Sequence, residues 1–278
     1  TCLFPDMDSR DFHRIRKIIH EYTGIRLDEN KGNMVVARLN KRLRDLRMQN
    51  YAEYLNYLEQ DHKRPANAKE LDIMADYLTT NHTFFFREPD HFEFLAEELF
   101  KKFDPRRGRR LRIWSSACSS GEEAYTIAIT MREYLKDAQG VDAKILASDI
   151  STRMLSRAVR GMYEAESLKR IPPILRADLF TPVSYKGSIV YKVKPDLAST
   201  IKFARLNLVE PWPMHGPFDV VFCRNCMIYF DSATREKLLS RFHGIIKTGG
   251  HFIVGHTESL STTSHGFEYV RPSIYRKV

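Results

Sequence analysis

The chain has 278 residues, 43% of them hydrophobic and 28% charged, with a formal net charge of +9. That length supports a large core and two domains, no apolar run approaches the roughly 18–20 residues of a membrane span, and four Cys in so long a chain make no disulfide framework. The basic excess fits an acidic partner, whether nucleic acid, an anionic membrane face or an acidic protein surface, and does not separate them.

The opening stretch TCLFPDMDSRDF has acids where a signal peptide carries a basic flank and an apolar centre, so the expectation is a cytoplasmic protein. The first eighty residues read as helices. Phe12, Ile15, Ile18, Ile19 and Tyr22 follow helical spacing, with Asp8 or Ser9 as cap and Gly24 as stop. A second helix runs from about Asn33 to Met48, with Val35, Val36, Leu39, Leu43 and Leu46 on one face and Arg38, Lys41, Arg42 and Arg44 on the other. A third uses Tyr51, Tyr54, Leu55 and Leu58, and a fourth Leu71, Met74 and Leu78, with DHKRPANAK as the loop between them. Basic residues cluster in Lys31 to Arg47 and again in Lys101 to Arg112.

From Leu111 the pattern changes. LRIWSSA, AKILASD, FDVVFCRN and GGHFIVGH read as strands, and GEEAYTIAITMREYL, STRMLSRAVRGMY and ATREKLLSRFHGIIK as helices between them. That alternation predicts a doubly wound, mainly parallel α/β sheet. The final FEYVRPSIYRKV has no helix before its second half and should pair antiparallel. TPVSYKGSIVYKVKPDLASTIKFARL alternates like short antiparallel strands, which predicts a small β insertion at about 180–205.

Open α/β sheets bind ligands at the carboxyl ends of their strands. Ala117 to Glu123 follow the first strand; the second ends in Asp149, where an acid accepts both hydroxyls of a ribose or simply caps the next helix. Asn207 and Leu208 are placed to border a base, and the strand DVVFCRNCMIYF brings Arg224, Asn225 and Tyr229. The turn SSACSSGEE has one glycine, Gly121, instead of the three of a dinucleotide fingerprint. Glu122 and Glu123 in the first helical turn would repel a pyrophosphate. A ribose-bearing ligand without phosphate and with a cationic centre suits the turn better, and S-adenosylmethionine is such a ligand. CRNC, Cys223 to Cys226, invites a redox or zinc reading, but no His-rich segment completes a metal set.

TTNHTFFFRE, WSSACSSGEEAYTIAI, ASDIS, LNL and FDVVFCRNCMIYFD together resemble the chemotaxis receptor glutamate methyltransferases, the CheR family, and the similarity runs over almost the whole chain. The resemblance implies an all-α receptor-recognition domain over 1–79. It also implies a Rossmann-like S-adenosylmethionine-dependent methyltransferase domain over 80–278. Within that domain it implies that Asn81, Thr83 and Arg87 cover the cofactor and that Ala117 borders it. Glu123 and Asp149 hold its methionine and ribose portions, Asn207 and Leu208 border the adenine, and Arg224 and Asn225 close the pocket. Arg87 and Tyr229 lie nearest the transferring methyl, while Arg38, Lys41, Arg42 and Arg44 face the acidic methylation helices of the receptor. No metal is implied. A receptor C-terminal peptide could add a strand to the β insertion, with GSIVYKV as the edge.

The chemistry agrees with the resemblance. A glutamate is ionised near neutral pH, with an ordinary pKa of about 4.3, and attacks a sulfonium methyl without a general base. The protein must supply alignment and exclude water. Two other readings are a nucleic-acid methyltransferase and a non-catalytic sensor of the cofactor. The strand end RNCMIYF lacks the Pro-Pro of base amino-methylating enzymes, and the complete set of pocket residues argues against a mere sensor.

Overall fold

The structure, a computed structural model, describes residues 7–62, 69–104, 110–135, 141–260 and 266–278, without the side chains of 60–62. Most of the loop expected at 61–69 and the middle of the basic run 101–112 therefore lie outside the described residues.

Four helices lead: α1 (Ser9–Thr23), α2 (Gly32–Leu46), α3 (Tyr51–His62) and α4 (Lys69–Leu78). Asp8 caps α1 by accepting the Asp11 N–H at 2.7 Å, and Gly24 ends it. The apolar stripes meet in one core of Ile15, Ile19, Val35, Leu39, Leu43, Tyr54, Leu55 and Met74. Within that core sits a charge. Glu70, 3% exposed, is gripped by Arg42 through Nε at 2.9 Å and Nη2 at 2.5 Å, and accepts the Tyr54 hydroxyl at 2.9 Å. This corrects the expectation that Arg42 faces a partner: its guanidinium balances a buried carboxylate. Arg38 is likewise turned inward, where Nη1 donates to the carbonyls of Leu78 at 2.9 Å and Thr79 at 3.1 Å. Lys41 and Arg44 are exposed.

After α5 (Asp90–Phe94), which runs on as a π-helical stretch over Leu95–Phe100, the α/β part begins. Its strands are β1 (Arg110–Ser115), β2 (Asp142–Asp149), β3 (Met162–Tyr163), β4 (Phe180–Tyr185), β5 (Ser188–Val193), β6 (Ile201–Arg205), β7 (Phe218–Cys223), β8 (Ile246–Val254), β9 (Phe267–Arg271) and β10 (Ile274–Lys277). Its helices are α6 (Glu122–Leu135), α7 (Thr152–Arg160), α8 (Pro173–Leu179), α9 (Pro195–Ala198) and α10 (Ser232–Ile245). The main sheet has the order β6-β2-β1-β7-β8-β10-β9. Its first five strands are parallel, and β10 and β9 add as an antiparallel hairpin. Two apolar layers, one on each face, enclose it.

The β insertion is smaller than the sequence suggested. It consists of β3, β5 and β4, whereas Ile201–Arg205 joins the main sheet parallel to β2. As an edge strand, β6 is covered less completely than the central strands, so it alternates like an antiparallel one. Within the insertion, β5 is the middle strand and β4 lies at an edge, which corrects the expectation that 187–193 presents the edge.

The helical part is fastened to the sheet by polar contacts. Ile25 bridges Phe230, the Arg26 N–H donates to the Tyr229 carbonyl at 2.7 Å, and Asn207 donates to the Tyr22 carbonyl at 2.6 Å. Buried Asp76 accepts Thr152 Oγ1 at 2.8 Å at the start of α7.

The buried ion pair yields a direct expectation. Arg42→Ala should cost about 3 kcal/mol of stability, because it strands the Glu70 carboxylate in the helical core. Denaturant unfolding measures it, and a loss within about 0.5 kcal/mol, ordinary for surface substitutions, would show that the pair does not carry this load.

Candidate functional site

The strand order reverses at β1, which is flanked by β2 on one side and β7 on the other. At the carboxyl ends of these strands lies a cavity of about 510 Å³, roofed by the helical part and by the segment Leu78–Phe84. That volume lies in the usual range for a small-molecule site. Every residue expected to hold the cofactor lines it: Asn81, Thr83, Arg87, Ala117, Glu123, Asp149, Asn207, Leu208, Arg224 and Asn225. Tyr229 lines it too, and so does Arg38. Lys41, Arg42 and Arg44 do not.

The turn after β1 is shaped by two residues with positive φ, Ser119 (49°) and Gly121 (98°). A Cβ on Gly121 would stand 2.8 Å from the Ala158 Cβ and 3.0 Å from the Tyr163 hydroxyl, so strand and helix approach only because it has none. Ser119 has a side chain and is held in place instead. Its N–H donates to Asp149 Oδ2 at 2.8 Å and its hydroxyl to the Asn81 carbonyl at 3.2 Å. The single glycine of the turn is thus supplemented by a tethered serine.

Asp149 is 7% exposed, and each carboxylate oxygen accepts one backbone N–H: Oδ2 from Ser119, Oδ1 from Ser151 at 2.9 Å. Helix α7 has its own cap, since Ser151 Oγ accepts the Met154 N–H. Asp149 is therefore not the ordinary cap. Burial pushes its carboxyl up to about 6, against the opposing pull of those two N–H groups. A carboxylate oxygen accepts more than one hydrogen bond, so Asp149 retains acceptor capacity on a cavity wall.

Arg224 organises the opposite wall. Its side chain is 2% exposed, with Nη1 3.0 Å from Glu123 Oε2, Nη2 3.0 Å from Glu88 Oε2, and Nη2 also donating to the Arg87 carbonyl at 2.5 Å. Burial raises the Glu123 carboxyl even though Arg224 lowers it; for Glu88, Arg224 and the Asn225 amide outweigh burial and hold the carboxyl below its ordinary range. Glu123 accepts the Ser115 hydroxyl at 2.7 Å as well. Arg87 donates from Nη1 to the His82 carbonyl at 2.7 Å, with its guanidinium 5.8 Å from the Phe84 ring centre. Asn207 is 1% exposed and its amide donates to the Tyr22 carbonyl, so it forms a fixed part of the cavity wall.

Several participants were not anticipated. Glu88 and Glu258 carry the loop after β7, with Glu258 accepting N–H groups from Asn225 (2.6 Å), Gly255 (2.8 Å) and Ile228 (3.1 Å). Gly255 has to be small, since a Cβ would lie 2.4 Å from the Asn225 amide. Arg26, Asp28, Lys31 and Met34 line the cavity from the helical side. The two thiols of CRNC lie 3.3 Å apart, and their mutual hydrogen bond, then burial, pushes Cys226 up.

The cavity suits S-adenosylmethionine on its own features. The first turn of α6 presents two buried or nearly buried acids, Glu122 and Glu123, where a diphosphate would need N–H groups and positive charge. A buried acid with spare acceptor capacity, Asp149, stands at the end of β2.

Comparison with known proteins accords with this geometry. The descriptions "CheR methyltransferase, SAM binding domain" and "CheR methyltransferase, all-alpha domain" match residues 81–275 and 10–79. The chain is 38% identical to chemotaxis protein methyltransferase 2 of Pseudomonas aeruginosa, over 95% of this chain and 92% of that protein. It is 38% identical to the Escherichia coli chemotaxis protein methyltransferase (95% and 89% covered) and 35% to that of Borreliella burgdorferi (96% and 94%). Among the described residues no helix is long and apolar enough to cross a membrane. The chain thus belongs to the CheR family of chemotaxis methyltransferases, with S-adenosylmethionine as its cofactor.

Proposed function

We propose that the protein methylates the side-chain carboxylates of specific glutamates in chemoreceptor cytoplasmic domains, in the cytoplasm, leaving glutamyl methyl esters and S-adenosylhomocysteine. The observation that supports this most is one cavity walled by acids at the sheet and by cations at the helical part. Glu123 and Asp149 stand at the ends of β1 and β2, and Arg26, Lys31 and Arg38 on the helical side. When bound, S-adenosylmethionine supplies an electrophilic methyl on a sulfonium.

The residues divide the work by position. Asp149 accepts the ribose hydroxyls, Asn207 and Leu208 confine the base, and Glu123 with the Ser115 hydroxyl receives the amino end of the methionine portion. Asn81, Thr83 and Ala117 close over it, and Asn225 is held against Glu88 through its amide at 3.2 Å. Arg87 and Tyr229 orient the incoming carboxylate. The acceptor glutamate is already ionised at neutral pH, so the protein holds it in line and keeps water out; no side chain need remove a proton. Arg87 lies at the rim with one Nη on a carbonyl, which suits partial contact to the acceptor, because a full ion pair would blunt the nucleophile. Exposed Lys41 and Arg44 on α2 meet the acidic receptor helices. A receptor C-terminal peptide adding a strand would pair with β4, the edge of the insertion.

Methyl-labelled S-adenosylmethionine incubated with receptor cytoplasmic fragments is expected to give alkali-labile label on the receptor and none on DNA. Unlabelled receptor, or stable label on DNA, would reject the proposal. Lys41→Glu is expected to lower receptor methylation about tenfold by weakening encounter, in the manner of a rim charge, while S-adenosylhomocysteine binds as in the wild type. Equal loss of both would remove α2 from receptor recognition.

Asp149 gives a pH signature. Its folded pKa of about 6 exceeds the ordinary 3.8, so between those values the folded chain holds a proton that the unfolded chain has released. Its contribution to stability is full below the ordinary value and lost as pH rises through 6. Hydroxyl binding has the opposite sense, because it uses the ionised form. S-adenosylhomocysteine affinity, followed by calorimetry, is expected to fall as pH drops through about 6. Asp149→Asn should bind at least about tenfold more weakly at neutral pH, the loss of a charged acceptor, with a flat profile. A wild-type profile as flat as the variant's contradicts the assignment.

A further inference from the structure

Behind Arg224, three donors outside the cavity lining form a second cluster. Glu88, His91 and His256 each bring one ligand atom, all within 4.8 Å of one another. Glu88 comes from the turn into α5, His91 from its first turn, and His256 follows β8.

His91 is the telling member. Its side chain is fully buried, and neither ring nitrogen has a hydrogen-bond partner among the described residues. Leaving buried polar atoms unsatisfied is costly. Its Nδ1 lies 3.6 Å from Glu88 Oε2, beyond hydrogen-bond distance. Two ligands of one tetrahedral zinc, each about 2.0–2.1 Å from the ion, stand about 3.4 Å apart. The His91–Glu88 spacing is close to that edge length. The His256 ring meets the His91 ring edge to face, centres 5.0 Å apart, and its Nε2 is 3.0 Å from Asp90 Oδ2, a carboxylate that fixes the ring. His256 is 44% exposed, so it can close the remaining gap and gives an ion a way in.

We infer that Glu88, His91 and His256 form a binding site for a divalent transition-metal ion of the zinc type. Two imidazoles and a carboxylate match zinc or cobalt, whereas magnesium and calcium require oxygen ligands throughout. Burial keeps the His91 ring neutral, as a ligand must be. The nearby Arg224 charge is offset by Glu123, and Arg224 shares Glu88 Oε2 with the ion. The ion clasps the turn at Glu88, next to Arg87, to the loop after β8, from behind the cavity wall.

The test uses the full chain without an affinity tag, stripped by chelator and titrated with Zn²⁺ by calorimetry and with Co²⁺ by visible absorption. One ion per chain is expected, with affinity reduced on the order of 100-fold in His256→Ala and in His91→Gln. Zn²⁺ should raise the melting temperature of the wild type and leave that of His256→Ala unchanged. Because His256 is half-exposed, His256→Ala should melt with the metal-free wild type, which separates ligand loss from misfolding. Absence of binding, or binding equal in both variants and the wild type, would overturn the site. So would a thiolate-to-cobalt charge-transfer band, which would put the ion on Cys223 and Cys226. None of these readouts depends on methyl transfer.

Discussion

The buried guanidinium of Arg224 is the constraint on which the site is built. It meets Glu123 from α6, Glu88 and the Arg87 carbonyl from the segment between the two parts of the chain, and it stems from the end of β7. A charge withdrawn this far from water is held only if its partners stay in place. Three chain segments are therefore fixed relative to one another by one side chain. Its Nε is buried without a partner among the described residues, so the cluster is not optimised for stability alone. What the arrangement does determine is the place of Arg87, whose backbone is tied to the hub while its side chain reaches the cavity.

The backbone around this hub is strained in a consistent way. Phe86, Glu88, Ser119 and Asn225 all have positive φ, and none is glycine. Each costs on the order of 1–2 kcal/mol, and each is countered by a polar contact. Phe86 N–H reaches Thr126 Oγ1 at 3.2 Å, Glu88 pairs with Arg224, Ser119 N–H binds Asp149, and Asn225 N–H binds Glu258. Strain gathered at cavity-lining turns is where preorganised binding sites store it. Two acids that look redundant in a charge count, Glu88 and Glu258, hold the turns at Glu88 and Asn225.

Much of this was legible in the chain's own pattern. The β1, β2 and β7 stretches announced themselves as apolar runs, and the site residues follow because an α/β sheet gathers its strand ends. The β6 stretch misled because an edge strand alternates whichever way it pairs. The basic face of α2 misled for another reason: Arg42 has the spacing of a solvent-exposed residue, but its long side chain folds back to Glu70, which lies on a different helix. Helical spacing reports Cα direction, and a six-atom side chain need not end where it points. Glu88, His91 and His256 were unreadable as a group because 168 residues separate the first from the last along the chain, and only the sheet order brings β8 beside β7.

The same accounting explains why a net charge of +9 said so little about partners. Part of it is structural: Arg42, Arg38, Arg205 and Arg224 neutralise or satisfy internal groups. What remains near the cavity is sorted by side. The sheet contributes Asp149 and Glu123, and the only sheet-side cation among the expected site residues, Arg224, is balanced by two carboxylates. The helical part contributes Arg26 and Lys31 against Asp28. A cationic cofactor is thus favoured deep against the strand ends, by Asp149 and by what Glu123 retains after pairing with Arg224. An anionic ligand there would face those acids instead. The polarity of the cavity at the strand ends, rather than the sum over the surface, is what suits a sulfonium-bearing cofactor.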